Sequence, residues 1–400
     1  MESIQKIYRI GRGPSSSHTM APKRAAEKFK ARNPHASNFQ VTLFESLAAT
    51  GKGHLTDVII GETLAPTPVE IIWKPEQQLP PHPNGMLFEA LNVRGATTDS
   101  WKVYSVGGGA LHEEDAQICS QSAYALTTLN EIMENCVDAK LNYWEYVGLS
   151  EGKRIWDYLE TVWRTMNAAI ERGLQADGLL PGSLNLKRKA RTFFSAARKH
   201  GMDFMQTACL SAYAFAMAEE NAAGGVVVTA PTCGACGTVP AILRFMMETY
   251  RLGEQAILQA LSTAGLIGNI IKTNGSISGA QVGCQGEVGS ACAMAAAAAT
   301  QLLGGSVYQI EYAAEMGLEH HLGLTCDPVD GLVQIPCIER NAHAATRALS
   351  CAQMAIMSDG RHRIPFDDVV AVMKQTGTDL PSIYRETSKG GLAKVYDRIK

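Results

Sequence analysis

Strand-like segments occupy the first part of the chain, and helical segments fill almost all of the rest. Before about residue 115, short runs rich in β-branched and aromatic residues alternate with turns marked by Pro and Gly. These runs are 38–44, 68–73 and 99–106. Two further pieces, 21–30 and 43–50, have helical periodicity. The pattern predicts an α+β N-terminal domain over residues 1–115.

Beyond residue 115 the periodicity and composition are those of helices. The predicted helical segments are 117–135, 140–172, 189–222, 239–249, 254–271, 288–303, 341–357 and 366–374. Glycine clusters interrupt them at 223–225, 234–237, 275–289 and 304–305. Glycine allows a backbone to approach a ligand closely, so we expect these breaks to converge on a site. Residues 116–400 are predicted to form a mainly α-helical catalytic domain.

The charge and hydropathy of the 400 residues exclude several classes of protein. A net charge of -3 gives no basic footprint for a nucleic acid. The first residues lack the apolar run of a secretory signal, and the longest apolar stretch, 291–303, is too short to span a bilayer. We expect a cytoplasmic protein without membrane or nucleic-acid partners. The low charged fraction of 19% favours a homo-oligomer, a dimer or larger.

Three of the ten cysteines lie where a predicted segment starts or stops. Cys284 precedes the apolar run 288–303, Cys326 precedes an Asp-Pro turn, and Cys337 follows a proline. Three thiolates without a fourth partner suit a 4Fe-4S cluster with one open iron, which is a Lewis acid. The alternative is three unrelated core residues, and spacing alone leaves both open. Five other cysteines in apolar segments are predicted to fill the core: Cys119, Cys136, Cys209, Cys292 and Cys351.

A C-x-x-C pair, Cys233 and Cys236, offers a rival set of ligands for zinc or for a redox site. No second such pair follows at zinc-ribbon spacing. The segment 230–237 instead reads as a tight anion-binding loop before a helix, in which Thr232 and Gly234 face the substrate.

Two polar loops near the N-terminus are candidates for substrate contacts and proton transfer. In the first loop, hydroxyl side chains surround His18; they belong to Ser15, Ser16, Ser17 and Thr19. Such a donor array suits a small carboxylate, although a serine-rich turn that caps the next helix is the simpler alternative. The second loop combines the cation Lys52 with the imidazole of His54. Isolated histidines such as His35, His82 and His362 are interpreted as surface or structural residues.

A third polar loop, 272–279, lies just upstream of Cys284. Its amide and hydroxyl side chains, Asn274, Ser276 and Ser278, are expected to face the substrate because they lie close in sequence to a cluster ligand.

Five segments together resemble the bacterial iron–sulfur L-serine dehydratases. They are GPSSSHT (13–19), TGKGHLTD (50–57), APTCGACGTVPA (230–241), NGSISGAQVGCQGEVGSACAMAAA (274–297) and LTCDPVDGLVQIPCIERN (324–341). The likeness runs in order from residue 13 to GGLA at 390–393, so it covers nearly the whole chain.

The resemblance implies a single chain that converts L-serine to pyruvate and ammonia without pyridoxal phosphate. By motif matching it implies that Cys284, Cys326 and Cys337 hold the cluster. It also implies that the loops of His18 and His54 reach the site from the N-terminal domain. Many single-chain relatives end in a cysteine that binds the open iron. This chain ends without one, so we expect water or a small anion there.

An elimination of this kind needs a base for the α-proton and donors for the carboxylate. The candidates for catalysis are His18, His54, Ser16, Ser17 and Ser276, and the sequence leaves the choice open. The candidates for substrate binding are Ser15, Thr19, Lys52, Thr232, Gly234, Asn274 and Ser278. Two alternative functions remain: a dehydratase of another hydroxy amino acid such as L-threonine, and a non-catalytic sensor of amino acids that contains a cluster.

Overall fold

A computed structural model describes residues 1–113, 122–197, 199 and 202–396. The strands are β1 Ile10–Arg12, β2 Asn38–Phe44, β3 Val69–Lys74, β4 Gly85–Leu91, β5 Thr97–Ser105, β6 Leu111–His112 and β7 Val226–Val228. The helices of the first part are α1 Ala21–Arg32, α2 Glu45–Thr50 and α3 Thr56–Leu64. The later helices are α4 Leu129–Ala139, α5 Tyr143–Glu151, α6 Arg154–Gln175, α7 Ala190–Ala197, α8 Met202–Ala222, α9 Thr238–Tyr250, α10 Glu254–Asn274, α11 Gly279–Val282, α12 Val288–Leu302, α13 Val307–Glu319, α14 Cys337–Ile356, α15 Phe366–Asp379 and α16 Gly391–Tyr396.

The N-terminal region is a five-stranded mixed sheet covered by helices. The strand order is β3-β2-β4-β5-β6, with β2 and β3 parallel and the other neighbours antiparallel. Alternate residues of β2, Phe39, Val41 and Leu43, are buried in one core with Phe29 of α1 and Ile60 of α3. The period of two along the strand and the apolar stripe of each helix therefore meet on the same face.

The helical region is built around α12, whose residues from Val288 to Thr300 are all buried. A helix buried on every side needs small side chains where its neighbours approach. A Cβ on Gly317 of α13 would lie 2.9 Å from Ala293 Cα, so glycine faces alanine at this crossing. No helix in the described ranges is both long and apolar enough to cross a bilayer.

The first residues of the chain pack into the helical region and not into the sheet. Ile4, Ile7 and Tyr8 belong to the helical core, and the Tyr8 hydroxyl donates to Leu261 O at 2.8 Å. Strand β1 then pairs antiparallel with β7. This pairing brings the loop that contains His18 against the helical region, and the boundary near residue 115 stays a prediction.

The predicted fold class, an α+β region followed by a mainly helical one, is confirmed. Within it the predicted helix 140–172 is divided into α5 and α6, because Gly152 adopts a φ of +75° between them. Within the predicted helix 189–222, the described residues form α7 and α8. Strand β4 and the helices α3 and α13 were not predicted.

The crossing of α6 and α8 requires a glycine, and this can be tested. A Cβ on Gly173 of α6 would lie 2.2 Å from Ala216 O of α8, so Gly173→Ala must push two backbones apart. We expect it to lower the free energy of unfolding by on the order of 1–3 kcal/mol. The control is Gly61→Ala in α3, where a Cβ meets nothing within 4 Å. It should stabilise by about 0.5–1 kcal/mol. Urea unfolding of both variants tests this, and equal midpoints would contradict it.

Candidate active site

Two of the three predicted cluster cysteines lie side by side. Cys284 lies in the short helical turn Gly283–Gln285 before α12, and Cys326 lies in the segment after α13. Their Sγ atoms and a carboxylate oxygen of Glu287 all lie within 4.8 Å of one another. Cys337 is the first residue of α14, and burial together with the charge of Cys284 raises its pKa. All three thiols are buried.

Glu287 had no role in the sequence-based prediction, although it follows Cys284 by three residues at the start of α12. Its Oε2 lies 3.7 Å from the Cys326 Sγ and 4.0 Å from the Cys284 Sγ. A Cβ on Gly279 would lie 2.7 Å from that oxygen and 3.3 Å from the Cys326 Sγ. The glycine therefore leaves room beside the thiols that no other residue would leave.

The positive charge of Arg340 acts on the thiols from α14. Its Nη1 donates to Thr325 O at 2.6 Å, and its Nη2 lies 3.6 Å from the Asp327 carboxylate. A hydrogen bond from Cys326, and after it the charge of Arg340, lower the pKa of Cys284. The same contact with Cys284, together with burial, raises the pKa of Cys326.

These residues fit an iron–sulfur cluster. Thiolates are the ligands that such clusters use, and Gly279 leaves space beside them. Without a metal, the low dielectric of the site and mutual repulsion keep at least two of the three thiols protonated. A bound cationic centre would offset that cost and favour three thiolates.

A second group of side chains consists of His18, His54 and Glu386. One ligand atom of each lies within 4.8 Å of the others. The imidazole rings of His18 and His54 are stacked, with centroids 4.5 Å apart, and His18 Nδ1 lies 3.5 Å from Glu386 Oε1. Burial lowers the pKa of His18, and it lowers the pKa of His54 to about 4. Both rings are therefore neutral near pH 7.

The hydrogen bonds assign the proton on each neutral ring. His54 Nδ1 lies 2.9 Å from Thr50 O, which only accepts, so Nδ1 carries the proton and Nε2 keeps its lone pair. His18 Nε2 lies 3.2 Å from Ser46 O and carries the proton for the same reason. His18 Nδ1 then accepts from the Ser17 hydroxyl at 2.8 Å.

Hydroxyl groups of the first polar loop hold the two histidines in place. Ser15 Oγ accepts from the backbone N–H of His18 at 3.1 Å, and Thr19 Oγ1 donates to His54 O at 2.8 Å. Ser16 Oγ accepts from Cys233 N at 3.5 Å, which joins this loop to the predicted anion-binding loop.

Glu386 connects the histidines to the thiols. Its backbone N–H donates to Cys326 O at 2.8 Å, within a short parallel bridge between Cys326 and Arg385. Burial, followed by the charges of Glu287 and Cys284, raises the pKa of Glu386. Its φ of +56° is costly for a residue with a side chain, so the bridge holds this carboxyl in place. No local sequence signal marked Glu386, because the contact spans about 60 residues.

The residues predicted to contact the substrate from the second half of the chain differ in burial and in hydrogen bonding. Thr232 and Ser278 are buried. The Ser278 hydroxyl has no hydrogen-bond partner among the described residues, whereas the Thr232 hydroxyl interacts with the Glu287 carboxyl; burial raises the pKa of that carboxyl, and Thr232 opposes this rise. Gly234 lies beside Glu287, and a Cβ there would be 3.4 Å from Oε1. Ser276 Oγ donates to Gln281 Oε1 at 2.6 Å.

Two predicted substrate contacts are directed elsewhere by their neighbours. Lys52 is exposed, and its Nζ lies 5.7 Å from the ring centroid of Trp73. Asn274 Nδ2 donates to Thr127 O at 2.8 Å.

The remaining cysteines are mostly core residues. Cys136, Cys292 and Cys351 are buried as predicted, whereas Cys209 is half-buried and Cys119 lies outside the described residues. Of the C-x-x-C pair, Cys233 Sγ lies 3.8 Å from Met20 Sδ, and Cys236 Sγ lies 4.0 Å from Met217 O.

Buried neutral histidines predict a loss of stability in acid. Burial lowers the pKa of His54, His82 and His321 to about 4 each, against about 6.5 in an unfolded chain. Between these values the unfolded state binds more protons, so the free energy of unfolding falls as pH falls from 6.5 to 4. Each group contributes up to about 3 kcal/mol to this fall, and none above pH 6.5.

The variant His321→Gln isolates one of these contributions. The urea midpoint is measured at pH 4.5 and at pH 7. We expect the difference between the two midpoints to be smaller for His321→Gln than for the parent chain. His35→Gln is the control, because His35 is exposed. An equal acid sensitivity of His321→Gln and the parent would contradict the prediction.

The thiols, the paired histidines and the arrangement of the two regions define a family. Residues 88–393 match the family model of the serine dehydratase alpha chain, and residues 3–67 match that of the serine dehydratase beta chain. The chain belongs to the serine dehydratase family, with both parts in one polypeptide, and the resemblance predicted from its motifs is confirmed.

Relatives along the full length carry a more specific name. An L-serine dehydratase of Streptomyces coelicolor is 40% identical over 447 aligned positions, which cover 98% of each chain. L-serine dehydratase 1 of Escherichia coli is 39% identical, over 98% of this chain and 99% of its own. The L-serine dehydratase of Haemophilus influenzae is 37% identical over the same shares. Because 447 positions exceed the 400 residues here, the first relative contains residues that this chain lacks.

Proposed function

We infer that this chain is an L-serine dehydratase, which converts L-serine to pyruvate and ammonia. The observation that supports this most is the meeting of two groups in one buried site. Glu386 contacts His18 through its carboxyl and Cys326 through its backbone, so imidazole bases and soft metal ligands face the same space. The names of the full-length relatives support the same substrate.

Cys284, Cys326 and Cys337 would hold a 4Fe-4S cluster with one open iron, and no pyridoxal phosphate is involved. When bound, the cluster supplies Lewis acidity to the β-hydroxyl of the substrate, which is otherwise a poor leaving group. Arg340 offsets part of the negative charge that the thiolates would carry.

His54 is the best candidate for the base that removes the α-proton. Its Nδ1–H is bound to Thr50 O, which fixes the ring and leaves the Nε2 lone pair available. His18 is less suited, because its Nδ1 lone pair already accepts from Ser17. Its role is to support the stacked His54 ring, with Ser17 and Glu386 fixing its own orientation. Ser16 joins the two loops and Ser276 supports the third.

Two buried hydroxyls are the best candidates to donate to the substrate carboxylate: that of Ser278, which has no partner among the described residues, and that of Thr232, which lies beside Glu287. Ser15 and Thr19 hold the histidines in place through the hydrogen bonds described above. Gly234 has no side chain and so allows the substrate to approach the backbone closely. Lys52 and Asn274 take part only if their present contacts change.

The chemical change is an elimination followed by hydrolysis. The α-proton passes to Nε2 of His54, and the electrons of the Cα–H bond form a Cα–Cβ double bond. The Cβ–O bond breaks, and the departing hydroxide takes the proton from Nε2 of His54 to become water, so His54 returns to its neutral form. The remaining 2-aminoacrylate tautomerises to 2-iminopropionate, which adds water and releases ammonia to give pyruvate.

The test is anaerobic reconstitution with iron and sulfide, followed by assays of iron, sulfide and pyruvate. We expect about four irons per chain and rapid formation of pyruvate from L-serine. L-threonine is the competing substrate; its extra methyl group changes the barrier by only about 1–3 kcal/mol, so both must be measured. Faster turnover of L-threonine than of L-serine would make L-threonine the substrate. A full cluster with no turnover of either amino acid would favour the non-catalytic sensor.

A homo-oligomeric state and a cytoplasmic location complete the proposal, and neither membrane nor nucleic acid is a partner in it. The low charged fraction of 19% supports self-association. Light scattering of the reconstituted protein tests it, and a mass near that of one 43.0 kDa chain would contradict it.

A further inference from the structure

Two of the predicted cluster cysteines and one carboxylate form a compact set of ligand atoms. The Sγ atoms of Cys284 and Cys326 and a carboxylate oxygen of Glu287 lie within 4.8 Å of one another. The Cys337 Sγ does not lie within 4.8 Å of all three atoms. The set therefore differs from the three thiols of the proposed cluster, and the proposed mechanism gives Glu287 no role.

The separations within this set are those of ligands that share one metal ion. Around a tetrahedral Zn²⁺, with Zn–S of about 2.3 Å and Zn–O of about 2.1 Å, a sulfur and an oxygen ligand lie about 3.6 Å apart. In a 4Fe-4S cluster each thiolate binds a different iron, so the body of the cluster separates the thiolates. The Glu287 Oε2 lies 3.7 Å from the Cys326 Sγ and 4.0 Å from the Cys284 Sγ, which matches a single ion.

Backbone contacts fix the two segments that carry these ligands. Glu287 N donates to Cys284 O at 3.1 Å, which closes the turn between the two residues. Gln285 N donates to Leu324 O at 3.3 Å and so ties this turn to the segment of Cys326. The parallel bridge described above holds Cys326 from its other side. A site that is fixed before binding loses less conformational entropy when the ligand binds.

The two oxygens of the Glu287 carboxyl lie in different surroundings. A Cβ on Gly234 would be 3.4 Å from Oε1, and the Thr232 hydroxyl interacts with the carboxyl. On the other side, a Cβ on Gly279 would lie 2.7 Å from Oε2 and 3.3 Å from the Cys326 Sγ, so the glycine leaves room there. A neighbouring hydroxyl that orients a carboxylate is the usual support of a metal ligand.

The charges of the set favour a divalent cation. Two thiolates and one carboxylate would carry three negative charges at a site where both thiols are buried and Glu287 is half-buried. Arg340 lies beside Cys284 but offsets only part of this charge, because it also lies 3.6 Å from the Asp327 carboxylate. A divalent cation would neutralise most of the remainder, and thiolate ligands select a soft ion such as Zn²⁺ over Mg²⁺ or Ca²⁺.

We propose that Cys284, Cys326 and Glu287 bind a single Zn²⁺ ion before the cluster is assembled, with water as the fourth ligand. The two thiols release their protons to the solvent as the metal–sulfur bonds form. Because the ion occupies two of the three cluster cysteines, it blocks assembly of the cluster. The proposal rests on the proposed function only for this competition, and the ion site itself rests on the three ligand atoms.

Anaerobic titration of the metal-free full-length chain with Co²⁺ tests the ion site, because tetrahedral Co²⁺ bound to thiolates absorbs visible light and Zn²⁺ displaces it. We expect one Co²⁺ per parent chain. Glu287→Gln should bind about tenfold more weakly or worse, since loss of a direct ligand costs at least as much as loss of a group that orients one. Cys337→Ala should bind as tightly as the parent, and Cys233→Ala is the control outside the site.

The four affinities decide the assignment, and urea unfolding of each variant shows that it still folds. Equal affinities of Glu287→Gln and the parent would overturn the site. A loss in Cys337→Ala as large as that in Glu287→Gln would overturn it as well, because the ion would then be held by the three cysteines. Loss of binding in Cys233→Ala alone would place the ion at the C-x-x-C pair and contradict the proposal.

Reconstitution with iron and sulfide separates this site from the cluster. Glu287→Gln keeps all three cysteines, so without zinc it should take up about four irons per chain. Free Zn²⁺ is then buffered between the dissociation constants of the parent and of Glu287→Gln. It should lower iron uptake by the parent and leave that of Glu287→Gln largely intact, and equal inhibition would overturn the competition. If no variant assembles a cluster, the proposed function fails, while the Co²⁺ titration still decides the ion site.

Discussion

Cys326→Ala is expected to lose its iron and its activity together. The Cys326 Sγ, the Cys284 Sγ and a carboxylate oxygen of Glu287 lie within 4.8 Å of one another. Removing the Cys326 thiol leaves two thiolate ligands where the proposed cluster needs three. Lewis-acid catalysis contributes several kcal/mol to such a reaction, which corresponds to a fall in kcat of about 10³-fold or more. Iron and sulfide per chain, measured after anaerobic reconstitution, should fall with the rate of pyruvate formation.

Cys233→Ala is the matched control for the same substitution. Cys233 is equally buried, but its Sγ contacts Met20 and not the cluster cysteines. It should keep its iron and its turnover, and unfolding of the two variants in urea shows whether Cys326→Ala still folds. Full iron content and full turnover in Cys326→Ala would contradict the assignment of Cys326 as a cluster ligand. Loss of iron in Cys233→Ala alone would move the metal to the C-x-x-C pair.

The fold could be predicted where periodicity is local. The strand β2 and the helices α1, α9, α10 and α12 follow from alternation or helical spacing within one segment. Helix α13 was missed although Ser306 and Gln309 form a capping box at its start, a signal that was available. The pairing of β1 with β7 was not accessible, because three-residue strands more than 200 residues apart leave no local pattern.

The candidate site divides in the same way. The cysteines and the two histidines could be proposed from the sequence because each lies in a short polar or glycine-rich break. Polar loops look alike in sequence whether they face the interior or the surface. The sequence therefore did not distinguish the buried Thr232 from Lys52, which lies over the Trp73 ring, or from Asn274, which donates to Thr127 O. Glu386 reaches the site through a backbone bridge with Cys326, and no spacing along the chain indicates that contact.

The base assignment leads to the second large effect, on His54→Gln. The variant removes the Nε2 lone pair, and we expect kcat to fall on the order of 10²–10⁴-fold. Iron content should not change, because His54 contacts Thr50, Thr19 and the His18 ring and none of the three cysteines. This combination of a lost rate and a retained cluster distinguishes His54 from the cysteines.

The pH dependence supplies a readout that a merely structural role would not give. Because burial lowers the pKa of His54 to about 4, the free enzyme keeps its base unprotonated above pH 5. The parent enzyme should therefore show no loss of kcat/KM between pH 8 and pH 6 that is due to a histidine with a pKa near 6.5. His35→Gln, at an exposed position, is the control and should retain the parent rate. If His54→Gln kept more than about a tenth of the parent kcat, the base would have to be sought elsewhere. The next group to test is then the Ser17 and His18 pair, because the Ser17 hydroxyl already donates a hydrogen bond to the His18 imidazole at 2.8 Å.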